Sequence, residues 1–375
     1  MKRVLAVLFC VLAALPGAAF AADVYESEHY RLRVETFADG LVHPWGLTFL
    51  PDGRILVTER PGRIRIVSHD GALSPPLDGL PEIWARGQGG ALDIEIDPDF
   101  ETNRLVYFSY AEPGPGGAGT AVARGRLDEA ANRLRDVEVI FRQQPKSSGG
   151  RHFGSRLVFS PEGKLFITIG ERGERQRTQN FTINRGQVIR INPDGSIPPD
   201  NPFVGKEGYL PEVWSYGHRN PQGAARHPET GKLWIHEHGA RGGDEVNVPE
   251  AGKNYGWPVI SYGRHYSGGK IGVGTHKEGM EQPIYYWDPS IAPSGMDFYT
   301  GDKFPDWQGD LLVGALKFQL LVRLELEGRE VVHEERMLEA LGERIRAVEV
   351  GPEGYVYLLT DASDGRILRL APAAR

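Results

Sequence analysis

Six times along the chain, an apolar run meets a turn marked by Pro or Gly, and a second apolar run follows. No other feature limits the fold as much. The instances are Leu47–Thr58, Leu92–Tyr107, Leu157–Ile169, Ala224–His236, a looser Met296–Val313, and Ala347–Thr360. Turn residues flanked by β-branched and aromatic side chains predict β-hairpins. Period-two alternation is plain in Arg63-Ile64-Arg65-Ile66, and long helical periodicity is nearly absent. From Asp52 to Glu353 the turns recur about every 60 residues, room for four strands and a loop per unit. The expected fold is all-β: a six-bladed propeller of four-stranded antiparallel blades, which solves the problem of exposed sheet edges by radial repetition. A pair of β-sandwiches accounts less well for six turns of one chemistry. No low-complexity linker divides the chain, so a single domain is expected over residues 22–375.

The first 21 residues read differently. Lys2 and Arg3 precede an apolar run from Val4 to Leu15, Pro16 and Gly17 break it, and Ala19-Phe20-Ala21 offers small residues for cleavage. This is the pattern of an export signal, too short to span a bilayer as a helix. Cleavage near Ala21 predicts a periplasmic protein without a membrane anchor. The only cysteine, Cys10, lies inside that segment, so disulfides, thiolate–zinc sites and cysteine nucleophiles are excluded from the remainder. The formal net charge of −7 argues against nucleic acid as a partner.

Chemistry concentrates in the loops between hairpins. His152 sits in Gly149-Gly150-Arg151-His152-Phe153-Gly154, a setting that suits a general base, a metal ligand or neither. No zinc-hydrolase spacing, nucleophile elbow or nucleotide-binding glycine fingerprint is present. Arg219 and Asn220 crowd a tight turn in Gly217-His218-Arg219-Asn220-Pro221-Gln222-Gly223. Lys317, Arg344 and Arg346 stand at the entry of strands, where charge has no packing purpose, and the two arginines share a strand face. Such a cation set within an acidic chain points to an anionic ligand, because guanidinium forks suit carboxylates. The segment from Glu237 through Gly239, Ala240 and Asp244 to Glu245, followed by Tyr255, joins adjacent carboxylates to a glycine-rich loop. That combination suits a hard, oxygen-seeking cation such as Ca²⁺, although it is not an EF-hand.

Five stretches together carry a resemblance: GQGGALDIEIDPDF from Gly87, HFGSRLVFSPEG from His152, GHRNPQG from Gly217, EHGARGGDEVN from Glu237 and NYGWPVISYG from Asn254. In this order they resemble the soluble quinoprotein aldose sugar dehydrogenases, the PQQ-dependent glucose/sorbosone dehydrogenase group of six-bladed propellers. The resemblance implies His152 as catalytic base and Gln88 beside substrate and cofactor. It implies Arg219 and Asn220 at the quinone edge of PQQ, and Lys317, Arg344 and Arg346 on its carboxylates. Gly239 and Ala240 fall where backbone carbonyls hold the cofactor's Ca²⁺, and Glu245 and Tyr255 where Ca²⁺ braces the scaffold. The chain departs from the glucose dehydrogenase branch at Arg151, at Arg172 and at His238-Gly239-Ala240. Those departures point to the aldose sugar dehydrogenase branch.

The activity implied is oxidation of an aldose at C1 to a lactone, with electrons passed to an external acceptor such as a quinone, a cytochrome or a dye. No haem-attachment motif is present, so a cytochrome acceptor is a separate chain. Two other functions use the same propeller. A Ca²⁺-dependent lactonase gives no reason for four cations around one pocket, and a sugar-binding propeller gives none for His152. Monomer and dimer are equally compatible with the sequence.

Overall fold

A computed structural model of the chain describes residues 23–374. The segment read as an export signal, with Cys10, lies outside the described residues. Three of the predicted turns share one geometry. Leu50, Ser160 and Gly351 each donate an amide to the carbonyl four residues on, and their carbonyls accept from Gly53, Gly163 and Gly354. Those glycines have φ of 88°, 70° and 85°, so the left-handed residue that closes a three-residue hairpin falls on a residue without a Cβ.

Each predicted hairpin forms the first two strands of one sheet, and there are six sheets. Blade 1 holds Pro44–Phe49, Ile55–Glu59 and Arg63–Val67. Blade 2 holds Ala91–Ile96, Leu105–Gly114, Gly117–Asp128 and Arg133–Arg142. Blade 3 holds Gly154–Phe159, Leu165–Ile169, Gln187–Ile191 and Val213–Tyr216. Blade 4 holds Pro221–Arg226, Leu233–Glu237, Asp244–Asn247 and Tyr285–Trp287. Blade 5 holds Pro293–Phe298, Leu311–Ala315, Leu320–Glu327 and Glu330–Met337. Blade 6 begins with Ile345–Val350, Val356–Thr360 and Gly365–Pro372. Their first strands touch in cyclic order, the sixth returning to the first, which closes the ring of a six-bladed β-propeller.

Strand counts differ from the uniform expectation at the closure. Blade 6 takes Arg31–Leu41 and Asp23–Glu26 from the other end of the chain and so has five strands. Blade 1 has three. Residues 73–77 lie where its fourth would be, with Ser74 and Leu77 donating amides to the carbonyls of Ile66 and Ile64. Pro75 and Pro76 have no amide hydrogen, so no regular ladder forms there.

The apolar core is divided among the blade interfaces. Leu32, Leu358 and Leu368 of blade 6 pack against Leu312 and Leu321 of blade 5, and Leu165, Ile167 and Ile189 of blade 3 against Tyr107 and Val122 of blade 2. Corresponding clusters fill the other four interfaces. The axis is polar. Arg156 donates to Asp93 Oδ1 (2.8 Å) and to the Gln222 carbonyl (2.7 Å), while Arg346 donates to Gln222 Oε1 (3.2 Å). Alternation explains the division: inner-strand side chains point by turns into the apolar wedge and toward the axis.

In an antiparallel hairpin, the start of the first strand and the end of the second lie together, opposite the turn. Here the residues just before each first strand and just after each second strand therefore share one face of the ring. That face collects the candidate chemistry.

Candidate active site

His152, Gln88 and Arg219 immediately precede first strands of blades 3, 2 and 4, whereas Glu171, His238 and Lys317 follow second strands of blades 3, 4 and 5. Two adjoining cavities result, of about 790 Å³ and about 490 Å³. Gln88, His152, Arg219, Ala240 and Tyr266 line both. The larger also meets Gly239, Arg241, Asp288 and Lys317; the smaller meets Arg151, Glu171, Arg175 and His265.

His152 is held at three points. Its amide donates to Gln88 Oε1 (2.7 Å), its carbonyl accepts from the Arg172 amide (3.3 Å), and its Nδ1 meets Glu171 Oε1. The backbone there is left-handed, with φ of 57°. Gly170 permits the close approach: a Cβ at that position would lie 2.0 Å from the His152 carbonyl oxygen. Burial pushes the His152 pKa down, and Arg219 and Arg151 add to that, against the opposing pull of Glu171. The imidazole is therefore neutral at pH 7. The contact with Glu171 places the ring hydrogen on Nδ1 and leaves Nε2 a free lone pair.

Arg219 is buried, lies 5.3 Å from the Trp257 ring centroid, donates Nη1 to the His238 carbonyl (3.0 Å) and its amide to Glu237 Oε2. Asn220 is buried and lines neither cavity; its Oδ1 accepts from the Gly154 amide (3.1 Å). Arg172 does not line either large cavity. Its guanidinium lies 3.3 Å from the Phe153 ring centroid and donates to the Gly149 and Arg151 carbonyls, bracing the loop that carries His152. Burial, with Arg185 nearby, lowers its pKa to about 9.

Arg346 is buried, whereas Arg344 is exposed. Both donate to Asp361 Oδ2, at 3.3 Å and 2.8 Å, and Arg344 also donates to the Leu316 carbonyl (3.0 Å) beside Lys317. Neither lines the larger cavity. These charges serve packing after all, because Asp361 also faces His43 Nδ1 (3.1 Å) and ties blade 6 to the start of blade 1.

Asp244 and Glu245 are adjacent but not paired. They lie on a strand, so their side chains diverge. Asp244 is consumed by the Gly239 and Ala292 amides and the Ser290 hydroxyl. Glu245 turns instead toward Glu237, across a void of about 10 Å³ that Gly239, Tyr255 and Gly217 also line. Burial and Glu237 push the Glu245 carboxyl up to about 8. Asn247 donates to both carboxylates, leaving its own buried Oδ1 without a partner. A buried and a half-buried carboxylate with an orphaned amide oxygen around an ion-sized void fit a hard cation. Among the described residues, no group of three or more His, Cys, Asp or Glu side chains stands ready to hold a metal, so backbone carbonyls must complete such a site. Tyr255 can offer only its carbonyl, since its hydroxyl donates to the Val248 carbonyl and accepts from the Glu250 amide.

The larger cavity likewise fits a flat polyanion: Arg219, Arg241 and Lys317 line it against the single carboxylate of Asp288. Glu171 and Asp361 are site residues that the sequence reading missed, and Glu237 entered it only as the start of the candidate cation segment. All three stand at or just past the end of a second strand, so hairpin geometry would have placed them with the others.

The fold is that of a six-bladed β-propeller, and sequence comparison gives the family. The chain belongs to the glucose/sorbosone dehydrogenase family, whose profile matches residues 41–369. The aldose sugar dehydrogenase YliI of Escherichia coli K12 is 48% identical over 345 residues, 91% of this chain and 93% of that one. A crystal structure of a glucose dehydrogenase superposes with a TM-score of 0.89 at 53% identity, covering 91% of this chain and 99% of the other. The PQQ-bound form of the aldose sugar dehydrogenase from Streptomyces coelicolor superposes with a TM-score of 0.75 at 29% identity, covering 92% and 99%.

Proposed function

We propose that the protein is a PQQ- and Ca²⁺-dependent aldose sugar dehydrogenase, exported to the periplasm with cleavage near Ala21. The observation carrying this reading is His152, neutral and oriented by Glu171, at the junction of a cationic cavity with a second, open one. No described helix is long and apolar enough to cross a membrane.

In this reading His152 Nε2 takes the proton of the sugar's C1 hydroxyl, and Glu171 stabilises the imidazolium as it forms. Gln88 fixes the backbone that presents the ring. PQQ, when bound, supplies the two-electron acceptor for the hydride leaving C1. Lys317 and Arg219 line the cavity that would take it, whereas Asn220, Arg344 and Arg346 lie outside that lining. Gly239 and Ala240 would offer carbonyls to the cofactor's Ca²⁺, and Glu245 and Tyr255 to an ion bracing the scaffold. Arg219 and that charge would steady negative charge developing at the acceptor. The sugar leaves as a lactone, and its electrons pass to an external acceptor.

The test is reconstitution of apoprotein with PQQ and Ca²⁺, following dye reduction with glucose, galactose, xylose and maltose. Activity that saturates with PQQ is expected. Lactone hydrolysis in the absence of PQQ, without dye reduction, would replace the dehydrogenase by a lactonase.

A further inference from the structure

The smaller cavity carries more positive charge than a neutral sugar can use. Its charged lining consists of Arg151, Arg175, Arg219 and Glu171, and Glu171 is committed to His152. Arg175 reaches across from blade 3 to donate Nη1 to His265 Nδ1 (2.9 Å), which leaves its other guanidinium hydrogens free. Glu174, the carboxylate nearest in sequence, is engaged by Arg177 and Arg185, both at 2.9 Å. Among the described residues, neither Arg151 nor Arg175 forms an ion pair with a carboxylate. Two unpaired guanidiniums thus flank the catalytic histidine on the side away from Lys317, within a chain whose net charge is −7.

Some arginines elsewhere are closely paired: Arg323 meets both Asp310 and Glu335, and Arg63 and Arg65 share Glu59. Gln176 and the half-buried His265 add hydrogen-bonding capacity beside the free forks, and Trp257 gives a ring against which a sugar can lie. A cleft lined by one sign of charge concentrates ligands of the opposite sign, and guanidinium forks grip carboxylate and phosphate oxygens in pairs.

We propose that the preferred substrate is an anionic aldose, with a free C1 hydroxyl at His152 and a carboxylate or phosphate at its far end held by Arg151 and Arg175. The inference rests on the dehydrogenase reading above. The chemistry at C1 is unchanged: C1 gives up two electrons and two protons in becoming the lactone carbonyl, and an added dye accepts the electrons. The remote anion takes no part in the bonds that form or break.

The test uses holoenzyme with PQQ and Ca²⁺, comparing kcat/KM for glucose, glucuronate and glucose 6-phosphate at low and high salt. Hydrogen bonds to a charged group correspond to about 10- to 100-fold. At least one anionic sugar should therefore exceed glucose by about tenfold or more, and its advantage should shrink as salt rises. Preference for glucuronate alone identifies the anion as a carboxylate, and preference for glucose 6-phosphate alone as a phosphate. In Arg151→Gln and Arg175→Gln the ratio of anionic to neutral kcat/KM should fall about tenfold. The ratio cancels any effect of these changes on His152 itself, and the salt dependence of the unaltered enzyme stands if a variant fails to fold. Glucose oxidised as well as both anions, or a preference indifferent to salt, overturns this inference alone. Loss of PQQ-dependent oxidation of every sugar overturns the dehydrogenase reading and this inference with it.

Discussion

Replacing Glu171 by Gln tests the proposed catalytic pair most sharply. The carboxylate is 2% exposed, faces His152 Nδ1 through Oε1, and has no partner for its buried Oε2. The substituted amide would retain a carbonyl oxygen able to accept the Nδ1 hydrogen, so the ring should keep its tautomer and lose only the charge opposite it. A hydrogen bond between charged groups contributes about 1.5–3 kcal/mol. That stabilisation grows as the imidazolium forms, so its loss should lower the plateau of kcat/KM by about 10- to 100-fold. The sign of the pH effect is fixed too. Burial, Arg219 and Arg151 already push His152 down, and Glu171 is the group pulling it back up. Without that pull the proton is lost at still lower pH, and the acid limb of the profile moves to lower pH. The assay is dye reduction by saturated holoenzyme across pH 4–8, with thermal unfolding to confirm folding. A plateau within about twofold of the original, or an acid limb displaced to higher pH, refutes the pairing.

Three further outcomes follow from the same geometry. Burial raises the Asp361 carboxyl, but Arg346, His43 and Arg344 outweigh it and hold the group well below the usual carboxylate range. Its stabilisation is thus present above about pH 4 and lost as pH falls further; Asp361→Asn should cost about 3–5 kcal/mol at pH 7 in denaturant titration, a gap that narrows in acid. Chelation should lower the melting temperature by leaving Glu237 and Glu245 together without a cation. Added Ca²⁺ should restore it, contributing about 2.7 kcal/mol at a hundredfold excess over Kd; a melting temperature indifferent to chelator counts against the site. Leu32→Ala removes a fully buried side chain from the strand that closes the ring, and should cost about 2–5 kcal/mol by chemical denaturation.

The hairpins were legible because Pro and Gly mark turns through local backbone geometry, which a sequence states directly. All six became the inner pair of a blade. Strand number at the closure was not legible: Arg31–Leu41 joins blade 6 across more than 300 residues, and the two prolines that spoil the edge of blade 1 read in sequence as an ordinary loop. Among the site residues, Gln88, His152, Arg219, Lys317, Gly239 and Ala240 line one cavity. Arg344 and Arg346 illustrate the limit of charge reading. A cation's partner can come from any blade, and Asp361 is visible only once the hairpin brings residues 344 and 361 to the same end. The same applies to Glu171, which lies 19 positions from His152 but is adjacent to it in the folded blade.

The most direct measurement is single-turnover reduction of bound PQQ by glucose in His152→Ala, beside the unaltered holoenzyme, with PQQ stoichiometry from titration in both. His152 lies at the edge of the cationic cavity and contributes no charge to it, so PQQ should bind both proteins to the same stoichiometry. General base catalysis supports a factor of about 10²–10⁴, and reduction in the variant should slow by that much. Reduction at an unchanged rate, or a failure of the unaltered protein to bind PQQ at all, would contradict the account.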